Sequence, residues 1–336
     1  MPLPAYLENL MAPRFAPLAL VPALLLAGCA ASVAAPESPA PSPSAAFPLT
    51  IENCGVEVTF DAAPERVVTI KSTSTEMMLA LGLGDRIVGT AFQDGPVPEQ
   101  WADDASGIPE LAPKMPNEES VLAATPDLVY AGWESAFSPD AAGARDELAG
   151  LGVASYVQPA ACQSAGQPAK LDFDEVFREI QEAGDIFGVP ERASELVAEQ
   201  KQQLAELEPA AGSPSALWWS SGTDTPYVGA GIGAPQLLLE TAGFSNVAAD
   251  VAATWAPFGW EAIIAADPDV IVLVDSDWNS AEHKKEYLAS NPATAAMSAV
   301  KNGRYIVIPF AASEAGVRSV EAATSIAAQY AELGAK

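Results

Sequence analysis

Positive charge is scarce in this chain, so each cation near a potential site is informative. There are 16 lysines and arginines against 44 acids, and one histidine. Lys71 and Arg318 both sit close behind segments that read as strands. In open α/β sheets ligands bind beyond the carboxyl ends of the strands. That rule selects Lys71, Ser72, Thr73, Gln93, Asp94, Trp133 and Glu134 in the first half of the chain. In the second half it selects Trp219, Ser220, Ser221, Asp275, Trp278, Phe310, Glu314 and Arg318. Arg318 is able to fork onto phosphate or carboxylate oxygens of an anionic ligand. Glu314, four residues earlier, offers it an ordinary helical ion pair instead.

The aromatic residues extend this set. Trp133, Trp219 and Trp278 follow strands, and Trp255, Phe258 and Trp260 precede a helix. Flat aromatic walls suit a flat conjugated ligand, each stacked pair adding about 0.5–1.5 kcal/mol beyond burial. Trp218, inside its strand, reads as core. Tyr227-Val228-Gly229-Ala230-Gly231-Ile232-Gly233 leads into a helix through Pro235, which suits a first helical turn. The glycines let backbone approach a ligand, but they do not follow the first strand of a dinucleotide-binding unit. No catalytic constellation emerges. His283 lies in a charged helical stretch, Glu282 to Lys285, which leaves a Ser/His hydrolase without a base. A zinc or manganese carrier needs more imidazoles. No metal, no cofactor and no enzymatic activity is expected.

The elements that position these residues recur. A helix over 117–124 runs through Thr125-Pro126-Asp127 into an apolar strand, and a helix over 260–266 runs through Asp267-Pro268-Asp269 into another. Each proline ends its helix because the preceding residue is pushed out of the right-handed helical region. Strands are also predicted over 66–70, 86–90, 154–157, 215–219 and 304–308, and helices over 75–81, 145–149 and 235–241. Alternating β and α elements imply an α/β fold of two lobes, each a mostly parallel sheet flanked by helices. Helical apolar spacing over 173–187 and 191–207 predicts two helices between the lobes, the second acting as connector. The expected lobes are 49–170 and 210–336, with the linker at 171–209. A helical connector resists bending, so lobe opening should be small.

Residues 11–28 carry one positive charge, Arg14, and then an apolar run too short to span a membrane. This fits a secretory signal over 1–28, with Met11 as the expected start. The run ends Leu26-Ala27-Gly28-Cys29, which resembles the bacterial lipobox; that resemblance implies cleavage before Cys29 and a diacylglycerol on its thiol. Residues 29–48 are rich in Ala, Ser and Pro and should form a disordered tether. Cys54 and Cys162 remain, either as a disulfide or as two separate thiols. A net charge of −28 repels nucleic acid and anionic lipid. Attachment to a membrane then falls to the acyl chain.

Pro64-Glu65-Arg66-Val67-Val68, Thr75-Glu76-Met77-Met78-Leu79-Ala80-Leu81-Gly82, Asp85-Arg86-Ile87-Val88-Gly89 and Thr125-Pro126-Asp127-Leu128-Val129 resemble the iron-siderophore and vitamin B12 binding proteins of ABC importers. Ala266-Asp267-Pro268-Asp269-Val270-Ile271 and Asn302-Gly303-Arg304 match the same family, so the resemblance spans roughly 50–333. It implies the helical-backbone periplasmic binding protein fold, no catalysis, and delivery of a small molecule to a permease and its ATPase by a monomer outside the cell membrane. One acid per lobe meets the permease in that family, and Asp140 and Glu240 hold the matching positions, although Asp140 stands where glutamate is commoner. Glu52-Asn53-Cys54-Gly55, Tyr130-Ala131-Gly132-Trp133-Glu134 and Glu314-Ala315-Gly316-Val317-Arg318 further resemble an actinobacterial clade of carriers for a deazaflavin coenzyme precursor. The same fold carrying a ferric siderophore or a corrinoid, or serving as a lipid-anchored sensor without transport, are the alternatives.

Overall fold

The computed structural model describes residues 46–164, 166 and 168–334. The expected signal, the lipidation site Cys29 and nearly all of the tether lie outside them.

The chain enters as a hairpin, β1 (Leu49–Asn53) and β2 (Val56–Phe60), paired antiparallel. Its two-residue turn is Cys54-Gly55, both at positive φ, as a tight hairpin turn requires. This hairpin was not anticipated. The first sheet contains β3 (Val67–Ile70), β4 (Ile87–Ala91), β5 (Glu110–Ala112), β6 (Leu128–Ala131) and β7 (Ala154–Val157), all parallel, in the order β5-β4-β3-β6-β7. Helices α1 (Ser72–Ala80), α2 (Ala102–Ala105), α3 (Glu118–Ala123) and α4 (Arg145–Gly150) connect its strands. β3 and β6 are buried along their whole length, which explains their unbroken apolar runs. The strand order reverses between β3 and β6, so the crevice of this lobe opens past Ile70 and Ala131.

Two helices link the lobes, α5 (Phe173–Ile186) and α6 (Pro190–Ala205). Asp172 caps α5 by accepting from Glu175 N at 2.8 Å, and Pro190 opens α6. They pack closely because Gly184 has no side chain: a Cβ there would stand 2.3 Å from the Ala193 methyl.

The second sheet holds β8 (Ser215–Ser221), β9 (Tyr227–Gly229), β10 (Ser245–Asn246), β11 (Trp255–Pro257), β12 (Val270–Asp275) and β13 (Tyr305–Pro309). β8, β12, β13 and β10 are parallel; β9 and β11 add an antiparallel edge where an irregular loop was expected. Its helices are α7 (Ala234–Thr241), α8 (Trp260–Ala266), α9 (Ala281–Ser290), α10 (Ser298–Lys301) and α11 (Ser319–Gly334). Among the described residues no helix is long and apolar enough to cross a membrane.

The repeated Pro-Asp unit does the same work in both lobes. Asp127 accepts from the backbone N–H groups of Glu65 and Arg66 at 2.8 and 3.0 Å, and Asp269 accepts from Ser215 N at 2.8 Å. Each carboxylate thus pins the start of the first strand of its sheet. The residues before the prolines, Thr125 and Asp267, leave the helical region as expected but enter the left-handed one, at φ 48° and 41°.

A disulfide joins Cys54, in the hairpin turn, to Cys162, beyond β7. The lobes also share apolar contacts: Val67, Met77 and Tyr130 of the first lobe, Ile180 and Leu196 of the linker, and Leu237, Val317 and Val320 of the second belong to one continuous cluster.

Candidate functional site

The carboxyl ends of the two sheets face each other across a cavity of about 780 Å³. That lies within the range of small-molecule sites, roughly 300–1,000 Å³. Trp133 and Glu134 follow β6; Ser220 and Ser221 end β8; Tyr227 and Trp255 stand on β9 and β11; Trp278 and Phe310 follow β12 and β13; Glu314 and Ala315 close the floor. Of the residues proposed from sequence, the structure therefore brings Trp133, Glu134, Ser220, Ser221, Tyr227, Trp255, Trp278, Phe310 and Glu314 together around one cavity.

The wall is aromatic from both lobes. Trp133 meets Phe310 edge-on at 6.0 Å, and Phe310 meets Trp278 at 5.3 Å, a chain of rings crossing the lobe boundary. Tyr227 and Trp255 stack nearly parallel at 6.4 Å, as diagonal neighbours on paired strands can. Tyr227 and Trp278 are 43% and 46% exposed, so these rings remain free to cover a ligand.

The remaining proposed residues stand behind the wall. Lys71 is completely buried. It is held at φ 81°, its ammonium pairs with Asp94, and it lies 4.0–4.6 Å from the ring centres of Trp133, Phe92 and Phe310. Ser72 is buried with its hydroxyl accepting from Asp94 N at 2.8 Å. Thr73 is buried beneath Gly132, where a Cβ would stand 2.3 Å from its hydroxyl. Gln93 turns back to donate to the carbonyl two residues earlier, Ala91 O, at 3.0 Å.

Trp219 is only 1% exposed because β8 runs two residues further than expected, through Ser221. Trp218 and Trp219 are thus consecutive strand residues pointing into opposite faces. Trp260 packs on Trp219 at 5.2 Å and donates to Thr223 O at 2.6 Å. Arg318 lies between the lobes, bonded to Glu76 at 3.5 Å and Glu321 at 2.8 Å. The ion pair with Glu314, the alternative to ligand contact, is absent, because α11 begins only after Arg318 and no helical turn joins the two. Glu314 instead accepts from Trp133 Nε1 across the lobe boundary at 2.7 Å. Lys284, expected on a charged surface, is buried and donates to Val274 O and Asn279 O, whereas its neighbour His283 is exposed.

Asp140 is exposed in a turn of the first lobe, away from the cavity. Glu240, at the end of α7, is held by Lys170 and Gln236 at 2.8 Å each.

Gln158 was missed, although the strand-end rule applied to β7 points straight at it; it lines the cavity and donates to Glu179 at 2.8 Å. Thr254 also lines the cavity; its neighbouring strand, only three residues long, gives no usable periodicity.

Charge in the wall is one-sided. Among the described lining residues none is a lysine, arginine or histidine, while two are glutamates. Partial burial works against ionisation of Glu134, yet N–H donors from Gln163 and Ser164 and nearby Arg145 hold its carboxyl below the usual range. Burial pushes the Glu314 carboxyl up to about 7, against the pull of Lys71. The expectation of a cationic contact for an anionic ligand is therefore corrected: the two cations expected there are both engaged by buried carboxylates. Among the described residues no group of three or more His, Cys, Asp or Glu side chains is placed to hold a metal ion.

Residues 67–312 match the model of the family described as periplasmic binding protein. The chain belongs to that family. This periplasmic binding protein is 31% identical to a structure described as an ABC-type Fe3+-hydroxamate transport system from Saccharomonospora viridis, with a TM-score of 0.73, over 87% of this chain and 100% of that one. It is 28% identical to the uncharacterized ABC transporter substrate-binding lipoprotein YvrC of Bacillus subtilis, over 92% of this chain and 93% of that protein. It is 27% identical to the cobalamin-binding protein of Halobacterium salinarum, over 77% of this chain and 68% of that protein. These relatives are binding proteins or transport components by name, and the two-lobed helical-backbone fold is common to the family's solved structures.

Proposed function

We propose that this periplasmic binding protein is the substrate-binding component of an ABC importer and that its cargo is a corrinoid. The carrying observation is the interlobe cavity walled by aromatic rings from both lobes and lacking any cation among its described residues. A corrin is broad, flat and conjugated, with neutral amides at its rim. Rings cover its faces, while Ser220 and Ser221 offer hydrogen bonds to its amides. Haem fits less well, since its propionates would find no cation and its iron only Tyr227 as an axial ligand. A deazaflavin precursor is flat too, but the carboxylates of the wall speak against its anionic form. The similarity to the cobalamin-binding protein supports the corrinoid reading. A ferric hydroxamate is the second reading, favoured by the 31% identity to the Saccharomonospora structure and also free of any need for cations in the wall.

On this reading the protein is a monomer tethered through residues 29–48 to a lipid on Cys29, outside the membrane, and Asp140 and Glu240 face the permease. Tryptophan fluorescence titration with cyanocobalamin, a ferric hydroxamate, haemin and a deazaflavin separates the cargoes. Saturable quenching by cyanocobalamin at micromolar concentration is expected. Quenching by one of the others alone would replace the corrinoid.

A further inference from the structure

The charges at the wall are compensated unequally. Behind it, Asp94 is neutralised by Lys71; in it, Glu134 is held by two backbone N–H groups and Arg145. Glu314 has no ion-pair partner among the described residues. One of its oxygens accepts from Trp133; the other has no hydrogen bond among the described residues, and the side chain belongs to a residue that lines the cavity. The pull of Lys71 on it is opposed by Asp94, the partner of that lysine. A carboxylate without an ion-pair partner, in a wall without cations, attracts positive charge and repels negative charge.

We propose that Glu314 is a specificity-determining residue that makes the cavity prefer cationic over neutral ligands of the same shape. This rests on the corrinoid reading, which supplies the shape; the charge preference belongs to Glu314 itself. Its carboxyl, pushed up to about 7 by burial, is one that an incoming cation readily ionises. The bond to Trp133 holds it in place when the lobes are together.

Two corrinoids of one shape and different charge test this at neutral pH: aquacobalamin, a cation, and cyanocobalamin, neutral at cobalt. The wild-type protein should bind aquacobalamin about fivefold more tightly, the effect of a unit charge pair at a few ångströms in a wet site. Glu314→Gln keeps an oxygen for the Trp133 N–H, so cyanocobalamin affinity should hold while the ratio falls to one. A wild-type ratio of one, an unchanged ratio in Glu314→Gln, or equal loss of both ligands in that variant overturns the proposal. Failure of both corrinoids to bind the wild type is failure of the corrinoid reading. The same comparison with ferrioxamine B, cationic, and ferrioxamine E, neutral, then decides the role of Glu314 alone, and no binding of any probe overturns both.

Discussion

Gly132 shows how tightly single residues set this site. It lies between β6 and Trp133, directly over Thr73 and Lys71. A methyl group there would stand 2.3 Å from the Thr73 hydroxyl and 2.9 Å from Lys71 Cβ. Gly132→Ala should displace Trp133 and the Lys71–Asp94 pair together. The expected result is a loss of about 1–3 kcal/mol in urea unfolding, as overpacking of a filled core gives, with at least a comparable loss of ligand affinity. An unchanged midpoint and unchanged quenching would show that the backbone yields without cost. At this scale the sequence named the right neighbourhood and half the right side chains. Lys71 was legible as a strand-end residue, but its rotation away from the cavity depends on Asp94 and on a ring from the other lobe, neither of which is local.

At the scale of elements, α1 and the segment before α11 form a contact between the lobes. Arg318 reaches Glu76 of α1, and Gln200 of α6 donates to Val317 O at 2.8 Å. Burial pushes Glu76 up to about 7 even with Arg318 beside it. Arg318→Ala would leave that carboxylate buried without its partner unless it takes up a proton. Its cost should reach about 3 kcal/mol at about pH 8 and shrink toward about pH 6, where Glu76 is neutral. Thermal unfolding at the two pH values checks this, and a pH-independent cost would mean that Glu76 does not change its protonation between them. The helix, Pro-Asp, strand unit was readable in both halves because it is a local pattern. β9 and β11 were not, since strands of three residues show no period and exist through pairing with β8.

For the whole molecule, three buried acids set the direction of pH dependence. Burial raises Glu76 and Glu314 to about 7 and Glu179 to about 8, the last against a hydrogen bond from Gln158, from an ordinary 4.5. A raised carboxyl pKa means that the folded state holds its proton more tightly than the unfolded chain. Stability is then fully present below about 4.5 and is lost as pH rises through about 7 to 8. Self-repulsion at a net charge of −28 adds in the same sense. Melting temperature should fall by several degrees between about pH 5 and about pH 8; added salt should remove only the self-repulsion part of that slope, and Glu179→Gln should flatten what remains at high salt. A rise over that range would refute the assignment. The shared apolar cluster through α5 and α6 also predicts little lobe movement, because opening would expose it to water; X-ray scattering with and without ligand should give nearly equal radii of gyration.

The amino-acid sequence by itself determined the α/β repeat, the two parallel-stranded lobes, the helical linker and a cleft edged with strand-end aromatics. Each of these follows from residue spacing within some twenty positions. Tertiary structure alone decided which strand-end side chains face the cavity and what charge it presents. Trp133 finds Glu314 across 181 positions, and Glu76 finds Arg318 across 242. Partners so far apart are chosen by how the lobes pack, and that choice turned two expected ligand cations inward and left a carboxylate facing the cavity.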